Sequence, residues 1–253
     1  MLNRKSFAST SLVVLCTAVF ASGAPQTQGS LSKGLVHWWK FNGTCMDSAG
    51  ELDLKPIGPI EFVRSPAGYG IDFDGSTTGI SIPPFKELQF ENSFSISAWA
   101  YLRSYPKNGK LWSSIIFDGD DRNGLDPYAL QVNGDGKMAF LITGEPNDLS
   151  EIQAPMPLRK FVLVTGTYDK QTGSQRLYLD GKLVGTQSEK YSLTPVCALV
   201  DGQHAGIGIG TNNGFPKGRY NFGWDGVIND LRIYDRALTI GEIQTLYKMS
   251  SKG

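Results

Sequence analysis

The segment 224–247 constrains the fold most, because it predicts a β-strand that leads directly into a capped α-helix. Between Val227 and Tyr234 apolar and polar residues alternate with one interruption, which is the period of a half-buried strand. The period then changes, and Thr239 and Glu242 have the spacing of a capping box at a helix N-terminus. The sequence therefore predicts a strand followed by a helix of one to three turns.

The rest of the chain consists of short strand-like runs separated by clusters of Gly, Pro, Asn and Asp. The predicted strands before this segment are 35–41, 79–82, 94–102, 114–117, 128–132, 137–142, 161–168 and 175–179. Asn-Gly-Asp-Gly at 133–136 and Asp-Gly at 180–181 predict tight hairpins, because these residues accept positive φ. Many short antiparallel strands without interleaved helices predict an all-β fold, a two-sheet antiparallel jelly-roll sandwich with a short C-terminal helix.

The N-terminal region has the composition of an export signal. Residues 1–24 begin with basic residues, continue with an apolar run and end with small residues, which predicts a signal peptide cleaved after Ala21 or Ala24. The apolar run is too short to span a membrane. A Gln, Ser and Gly-rich linker is predicted at 25–33 and a single domain at 34–250. We therefore expect an extracytoplasmic protein, either secreted or periplasmic, with no membrane span.

The charge of the chain gives no reason to expect a polyanionic partner. The 24 basic and 24 acidic side chains cancel, so the protein as a whole does not attract nucleic acid or an anionic membrane. We therefore expect no nucleic acid among its partners.

Four segments resemble the laminin-G-like, concanavalin A-like jelly-roll domains. They are Gly-Ile-Asp-Phe-Asp-Gly-Ser at 70–76, Phe-Ser-Ile-Ser-Ala-Trp-Ala at 94–100, Arg-Leu-Tyr-Leu-Asp-Gly at 176–181, and the strand and helix at 226–247. The resemblance extends over about residues 35–248 and implies the same two-sheet sandwich. It does not fix the function, since this fold hosts lectins, adhesion modules, glycosidases and polysaccharide lyases.

The resemblance also implies a structural calcium ion. In these domains a carboxylate from the last strand and carbonyl oxygens near the first strand hold the ion, and calcium accepts six to eight oxygen ligands. The matching carboxylate is Asp230, and the main chain at or beside Phe41 supplies the carbonyl group. The alternative is that Asp230 is a buried residue that accepts hydrogen bonds from backbone amides where the two ends of the chain meet.

An acidic loop at 118–126 is a second candidate site. Its oxygen-bearing side chains are Asp118, Asp120, Asp121, Asn123 and Asp126. Their spacing does not match an EF-hand, which needs Gly at the sixth position. The resemblance implies that such a loop binds a calcium ion at the rim of the sandwich, and this ion would coordinate sugar hydroxyls. The alternative is a solvated hairpin loop without a ligand.

Three aromatic residues near polar loops are candidates for sugar binding. Trp112 lies in a Gly and Ser-rich context, Tyr128 follows the acidic loop, and Trp224 lies near a run of Asn residues. Exposed rings would stack on the apolar faces of sugars. Most aromatic residues of such a chain belong to the core, however, so exposure is the property that decides this assignment.

Two cysteines, Cys45 and Cys197, remain after removal of the signal peptide. An even number in an exported protein is compatible with a disulfide, which would close a long segment. The alternative is two separate buried thiols.

No catalytic motif was found in the sequence. Asp72 and Asp74 are the only close carboxylates on a predicted strand, and they match a structural element of the non-catalytic domains. No nucleophile elbow of a serine hydrolase occurs. We therefore predict a non-catalytic binding module for a glycan or another extracellular polymer, with structural calcium. The alternatives are a protein–protein adhesion module and a glycosidase or polysaccharide lyase of unrecognised type.

Overall fold

The computed structural model describes residues 30–83, 85–107, 112–119, 126–144, 148–188, 206–211 and 223–250. Within these ranges the chain forms fifteen β-strands and one α-helix. They are β1 (Leu35–Trp39), β2 (Pro56–Ile57), β3 (Glu61–Ser65), β4 (Gly68–Asp74), β5 (Gly79–Ile82), β6 (Phe94–Leu102), β7 (Trp112–Gly119), β8 (Tyr128–Asn133), β9 (Lys137–Gly144), β10 (Asp148–Pro155), β11 (Phe161–Asp169), β12 (Ser174–Leu179), β13 (Lys182–Ser188), β14 (Gly206–Ile209), β15 (Asp225–Tyr234) and α1 (Ile240–Ser250).

The strands form two antiparallel sheets, which confirms the predicted all-β jelly-roll sandwich. The first sheet has the order β13-β12-β11-β6-β15-β4-β3, and β1 also pairs with β15. The second sheet has the order β10-β9-β8-β7-β14-β5-β2. Some neighbours are consecutive hairpins, but others, such as β6 and β15 or β7 and β14, come from distant parts of the chain. The ends of the sandwich therefore combine segments that are far apart in sequence.

The main core lies between the two sheets, and the helix covers a second core on the outer face of the first sheet. Strand β6 shows why: Ile96, Ala98 and Ala100 face the second sheet, while Trp99 between them faces α1. Ile243 and Leu246 of the helix lie in the same cluster as Trp99. The apolar residues of β6 on both faces are therefore explained by burial on both sides.

The predicted capping box is present at the start of α1. The Glu242 carboxylate accepts hydrogen bonds from the Thr239 amide (2.9 Å) and hydroxyl (3.0 Å), and the Thr239 hydroxyl accepts one from the Glu242 amide (3.3 Å). Arg236 donates to both carboxylate oxygens at 2.8 and 2.9 Å. The strand and capped helix predicted from the sequence are therefore confirmed.

The domain begins earlier than predicted. Residues 30–33 were assigned to the linker, but the Leu31 side chain is buried in the core under the helix. Arg236 donates hydrogen bonds to the carbonyl oxygens of Ser30 (2.9 Å) and Lys33 (2.7 Å). The predicted boundary at residue 34 is therefore wrong by at least four residues, while residues 1–24 lie outside the described part of the chain. Among the described residues, no helix is long and apolar enough to cross a membrane.

We predict that Glu242→Gln lowers the free energy of unfolding by about 1–2 kcal/mol at pH 7. Burial raises the pKa of the Glu242 carboxyl, but hydrogen bonds from Arg236 and Thr239 outweigh it, so the net pKa is lowered. A lowered folded-state pKa gives stability that is present above the unfolded pKa and is lost as the pH falls through the folded pKa. Urea unfolding of both proteins at pH 7 and at pH 3 measures this.

The difference between wild type and Glu242→Gln is expected to shrink at pH 3, because the carboxyl is then largely protonated in the unfolded protein and part of the charge-dependent stability is lost. Glu91→Gln is a suitable control, since the Glu91 side chain is exposed. Equal destabilisation at both pH values would show that the carboxylate charge does not stabilise the cap.

Candidate functional site

Asp230 does not have the surroundings expected of a calcium ligand. Its side chain is buried, and Oδ1 accepts hydrogen bonds from Trp38 Nε1 (2.5 Å) and Arg232 Nε (3.1 Å). The Arg232 guanidinium also lies 4.2 Å from the centroid of the Trp38 ring. A cation of the protein itself therefore pairs with this carboxylate, which does not favour calcium at Asp230, and the predicted calcium role stays a prediction.

Phe41 was predicted to supply a main-chain carbonyl group at or beside it to that site, and this also stays a prediction. It has a left-handed backbone with φ of 53°, and its side chain is fully buried. The carbonyl group that faces the last strand belongs to Lys40, where it accepts hydrogen bonds from Asn229 Nδ2 (2.9 Å) and the Asp230 amide (3.4 Å). The alternative interpretation is correct in placing Asp230 at the junction of the chain ends, although side chains rather than backbone amides bind its carboxylate.

Asp118 is the most unusual carboxylate of the described residues. It lies near the end of β7, opposite Tyr128 of β8, and only 4% of its surface is exposed. Its Oδ2 atom has no hydrogen-bond partner within the described ranges. Burial raises the pKa of Asp118 well above its usual value, the negative charge of Asp126 raises it further, and the Gly119 amide opposes them. The charged form is therefore disfavoured unless a cation approaches.

Only part of the predicted acidic loop lies within the described residues. Asp118 and Asp126 interact electrostatically at one end of the second sheet, whereas Asp120, Asp121 and Asn123 lie outside the described residues. Within the described residues, no three His, Cys, Asp or Glu side chains come together as a metal-binding group. The described part of the loop thus supplies two carboxylates to this end of the sandwich.

Tyr128 and Trp224 are core residues, so the prediction that they present exposed rings to a sugar is wrong. Tyr128 is 1% exposed, donates to the Leu88 carbonyl (3.0 Å) and packs on Phe94. Trp224 is fully buried, and its Nε1 donates to the Tyr101 carbonyl (3.1 Å). Both rings pack into the core between the sheets, although polar loops lie beside them in the sequence.

Trp112 and the acidic loop lie at opposite ends of one strand. Trp112 begins β7 and is half-buried, and Asp118 lies six residues later, which corresponds to about 20 Å along an extended chain. The structure therefore does not combine the predicted aromatic and acidic residues into one site. The predicted pairing of the cysteines stays a prediction, since Cys45 is half-buried and Cys197 lies outside the described residues.

A polar cavity of about 320 Å³ lies at the end of the sandwich where β7 begins. We call it the end pocket. It is formed where the β4–β5 turn, the segment after β6 and the start of β15 meet. The side chains that give it its polar character are Asp74, Ser76, Ser104, Tyr105, Lys107, Ser113 and Asp225.

Asp225 connects the elements that form the end pocket. Its Oδ2 accepts a hydrogen bond from the Ser104 hydroxyl (2.6 Å), and its Oδ1 pairs with Arg103 Nη1 (3.3 Å). The Arg103 amide donates to the Asp225 carbonyl (2.8 Å), and its guanidinium also binds both carboxylate oxygens of Asp72. The residue after β6 is therefore fixed against both β15 and β4, which holds the pocket wall in place.

The other two walls are equally well fixed. Asp74 closes the β4–β5 turn by accepting hydrogen bonds from Ser76 and Thr77 amides at 2.9 and 2.8 Å. Burial raises the pKa of Asp74, but the hydrogen bonds outweigh it and hold the pKa well below its usual value. The Tyr105 hydroxyl donates to the Met156 carbonyl (2.6 Å). The end pocket is thus preorganised, and the Asp74 carboxylate is charged at neutral pH.

Sequence reasoning missed the end pocket because its residues carry no motif. The only signal was the pair Asp72 and Asp74, which was correctly interpreted as structural, since Asp72 binds Arg103 and Asp74 closes a turn. Ser104 and Asp225 are brought together across 121 positions of the chain by sheet pairing alone.

The comparisons with known proteins agree with this fold. A family profile described as the concanavalin A-like lectin/glucanases superfamily matches residues 74–244. No curated protein matches the chain. One similar solved structure is domain 4 of AbnA, a GH43 extracellular arabinanase from Geobacillus stearothermophilus, in complex with arabinotriose. It has a TM-score of 0.63 and 18% identity, and the match covers 84% of this chain and 98% of that domain.

Binding domains of botulinum neurotoxins are also similar. A structure of neurotoxin type C, whose cell entry depends on two ganglioside molecules, has a TM-score of 0.67, 16% identity and coverage of 88% of this chain. The binding domain of neurotoxin DC in complex with rat synaptotagmin II has a TM-score of 0.64, 18% identity and coverage of 87%. This chain spans only 53% and 52% of those two toxin chains. Together with the family match and the two-sheet sandwich, these findings show that the chain belongs to the concanavalin A-like lectin/glucanase superfamily.

Proposed function

We propose that this protein is a non-catalytic carbohydrate-binding module and that the end pocket holds one sugar residue of its ligand. The observation that carries the proposal is the chemistry of the pocket walls. Serine hydroxyls both donate and accept hydrogen bonds, the Asp225 carboxylate accepts them and the Lys107 ammonium donates them. A sugar hydroxyl also does both, so this mixture suits a polyhydroxylated ligand.

The volume and the charges of the end pocket narrow the ligand class. About 320 Å³ lies at the lower end of the range of small-molecule sites, so the cavity has room for one sugar ring rather than a long chain. Near the pocket three carboxylates, Asp72, Asp74 and Asp225, stand against two cations, Arg103 and Lys107. The excess of negative charge disfavours a strongly acidic sugar and leaves a neutral one as the better ligand.

The similar structures support this proposal to different degrees. The arabinanase domain carries an oligosaccharide, and the match covers nearly all of that domain. The toxin matches cover about half of each toxin chain, so ganglioside or protein binding by those toxins is a weaker guide to this protein. At these identities the likeness concerns the fold, and the ligand class is inferred from the pocket.

Three carboxylates and the histidine of the first strand are not placed for catalysis. His37 Nδ1 lies 2.5 Å from the Asp47 carboxylate, but His37 is 2% exposed and stacks on Trp39. Its Nε2 is buried as well, so this pair has no access to a substrate. Asp72 and Asp74 are engaged in an ion pair and a turn. None of these groups is placed as a general acid or nucleophile.

A protein partner is the second candidate function. Leu183 and Val184 are 47% and 41% exposed and lie next to each other on β13, an edge strand of the first sheet. An exposed edge with apolar side chains is suited to the addition of a strand from another protein. The signal peptide predicted at 1–24 makes export part of both versions of the proposal.

We predict that Ser76→Tyr abolishes sugar binding without unfolding the protein, because the larger side chain fills the end pocket from an exposed turn. Lys107→Ala should weaken binding about tenfold through the loss of a charged donor. Calorimetry with arabinotriose, preceded by a screen of neutral and acidic oligosaccharides, measures both effects. Ser188→Tyr is the matched control, since Ser188 is exposed on β13 and does not line the pocket.

Each result of this experiment has a distinct meaning. Unchanged affinity of Ser76→Tyr would place the sugar site elsewhere. If no oligosaccharide binds the wild type, the carbohydrate proposal is wrong, and the exposed edge at β13 becomes the surface to test with protein partners.

A calcium ion held by Asp118 and Asp126 is the second part of the proposal. The fit rests on the chemistry of the pair: a buried carboxylate oxygen without a partner in the described ranges lies beside a second negative charge. Carboxylate oxygens are preferred ligands of calcium, which would remove both the desolvation cost and the repulsion. Asp120, Asp121 and Asn123 of the predicted acidic loop lie outside the described residues.

We predict that Asp118→Asn raises the melting temperature in EDTA and removes its dependence on calcium. A raised folded-state pKa means that the charged form destabilises the wild type at neutral pH, and this penalty fades as the pH falls through the folded pKa. In EDTA the variant should therefore be more stable by about 1–3 kcal/mol at pH 8. Thermal melting with EDTA and with calcium measures this. A calcium shift of equal size in both proteins would exclude Asp118 as a ligand.

A further inference from the structure

Along one of its edges, strand β15 pairs with β4 in its first half and with β1 in its second half. On one flank, residues 225–228 of β15 pair with β4, and residues 231–234 pair with β1. On the other flank, the register with β6 shifts by one residue between Asn229 and Arg232, and Asp230 has a left-handed φ of 52°. This is a β-bulge, so the regular ladder is broken where the end of β1 and the start of β4 meet β15.

Two backbone carbonyl groups converge at this break. Asn229 Nδ2 lies 2.9 Å from the Lys40 carbonyl oxygen, beyond β1, and 2.5 Å from the Tyr69 carbonyl oxygen of β4. Asn229 is fully buried, so water does not supply these donors. A primary amide has two N–H groups, and here each of them satisfies one carbonyl.

The same arrangement of oxygens would suit a hard cation. Two main-chain carbonyl groups and a side chain from the last strand are the groups that the family resemblance predicts around a structural calcium ion. Here the side chain at the convergence point is a neutral amide that donates to both carbonyls. The neighbouring carboxylate, Asp230, is neutralised by Arg232 instead of a metal. The residues present therefore do not fit the calcium ion that the fold implies.

We propose that the Asn229 amide takes the place of a cation at this junction, so that the two ends of the domain are joined without metal. Its two N–H groups donate hydrogen bonds to the carbonyl oxygens of Lys40 and Tyr69, which a metal ion would otherwise coordinate. The Arg232 guanidinium, which lies against Trp38, pairs with the Asp230 carboxylate and so supplies the positive charge that a metal ion would otherwise provide. This inference is independent of the end pocket and of the acidic pair at the other end of the sandwich.

The orientation of the amide is the critical point. Asn229 Oδ1 is buried and has no hydrogen-bond partner within the described ranges, so this orientation leaves one acceptor unsatisfied. The reversed orientation would bring three oxygens together, remove the amide donor from the Tyr69 carbonyl and leave the Lys40 carbonyl only the long bond from the Asp230 amide (3.4 Å). Such a cluster is unfavourable unless a cation fills it. One unpaired acceptor is the smaller penalty in the absence of metal.

Asn229→Asp tests the proposal, because a carboxylate at this position would need a cation to offset the neighbouring carbonyl oxygens. The substitution replaces two donors with a carboxylate of nearly the same shape, so three oxygens then face each other. We use Asp118→Asn as the parent protein, which removes the acidic pair as a source of calcium effects. In EDTA the melting temperature of the double variant should fall by roughly 5–10 °C below that of the parent. Millimolar calcium should restore most of this loss, whereas it should leave the parent unchanged.

Asn229→Ala in the same parent is the control, because it removes the donors without adding a ligand. It should be destabilised equally with EDTA and with calcium. If Asn229→Asp does not respond to calcium, the two carbonyls do not form a cation site and the proposal is wrong. Calorimetric titration of the parent with calcium decides the matter even if the Asp variant fails to fold. Calcium binding by the parent that is lost in Asn229→Ala would show that the amide oxygen is a metal ligand, which also overturns the proposal.

Discussion

The structure depends on the pairing of β15 with strands from the first half of the chain. This strand lies between β6 on one side and β4 and β1 on the other, so it joins the N-terminal strand to the middle of the larger sheet. Nine of its ten residues are buried. The two ends of the domain must therefore meet before the core is complete, and the fold is dominated by non-local contacts of the kind that slow folding.

The break in this strand concentrates strain and compensation in one place. Phe41 and Asp230 both have left-handed backbones, which cost energy for residues other than glycine. The compensation comes from the groups around them. Asn229 binds the carbonyls left free by the bulge, and Arg232 pairs with Asp230 while it stacks on Trp38. A small network of neutral and charged donors is therefore enough to fix this junction.

The sequence predicted those strands whose apolar pattern reflects burial. It did not predict strands in which a buried polar side chain is satisfied by partners from other strands. Strands 79–82 and 94–102 have the predicted bounds, since their residues alternate or are buried on both faces. Strand β10 was not predicted, because its inward Ser150 is polar and is satisfied by Gln175 and Gln187 across the core. Tyr128 and Trp224 were misplaced because a polar loop beside an aromatic residue says little about which face of the strand it occupies.

The carboxylates at the two ends of the sandwich differ in whether hydrogen-bond donors surround them. At the end pocket every described carboxylate has donors: Asp72 and Asp225 bind Arg103, and Asp74 binds the amides of its own turn. These carboxylates already accept hydrogen bonds that hold the cavity in shape, so the cavity suits a neutral ligand with hydroxyl groups. At the other end Asp118 is buried next to Asp126 with one oxygen unpaired in the described ranges. That arrangement would gain from an added cation, so the proposed ligand site and the proposed ion site are separated by the length of β7.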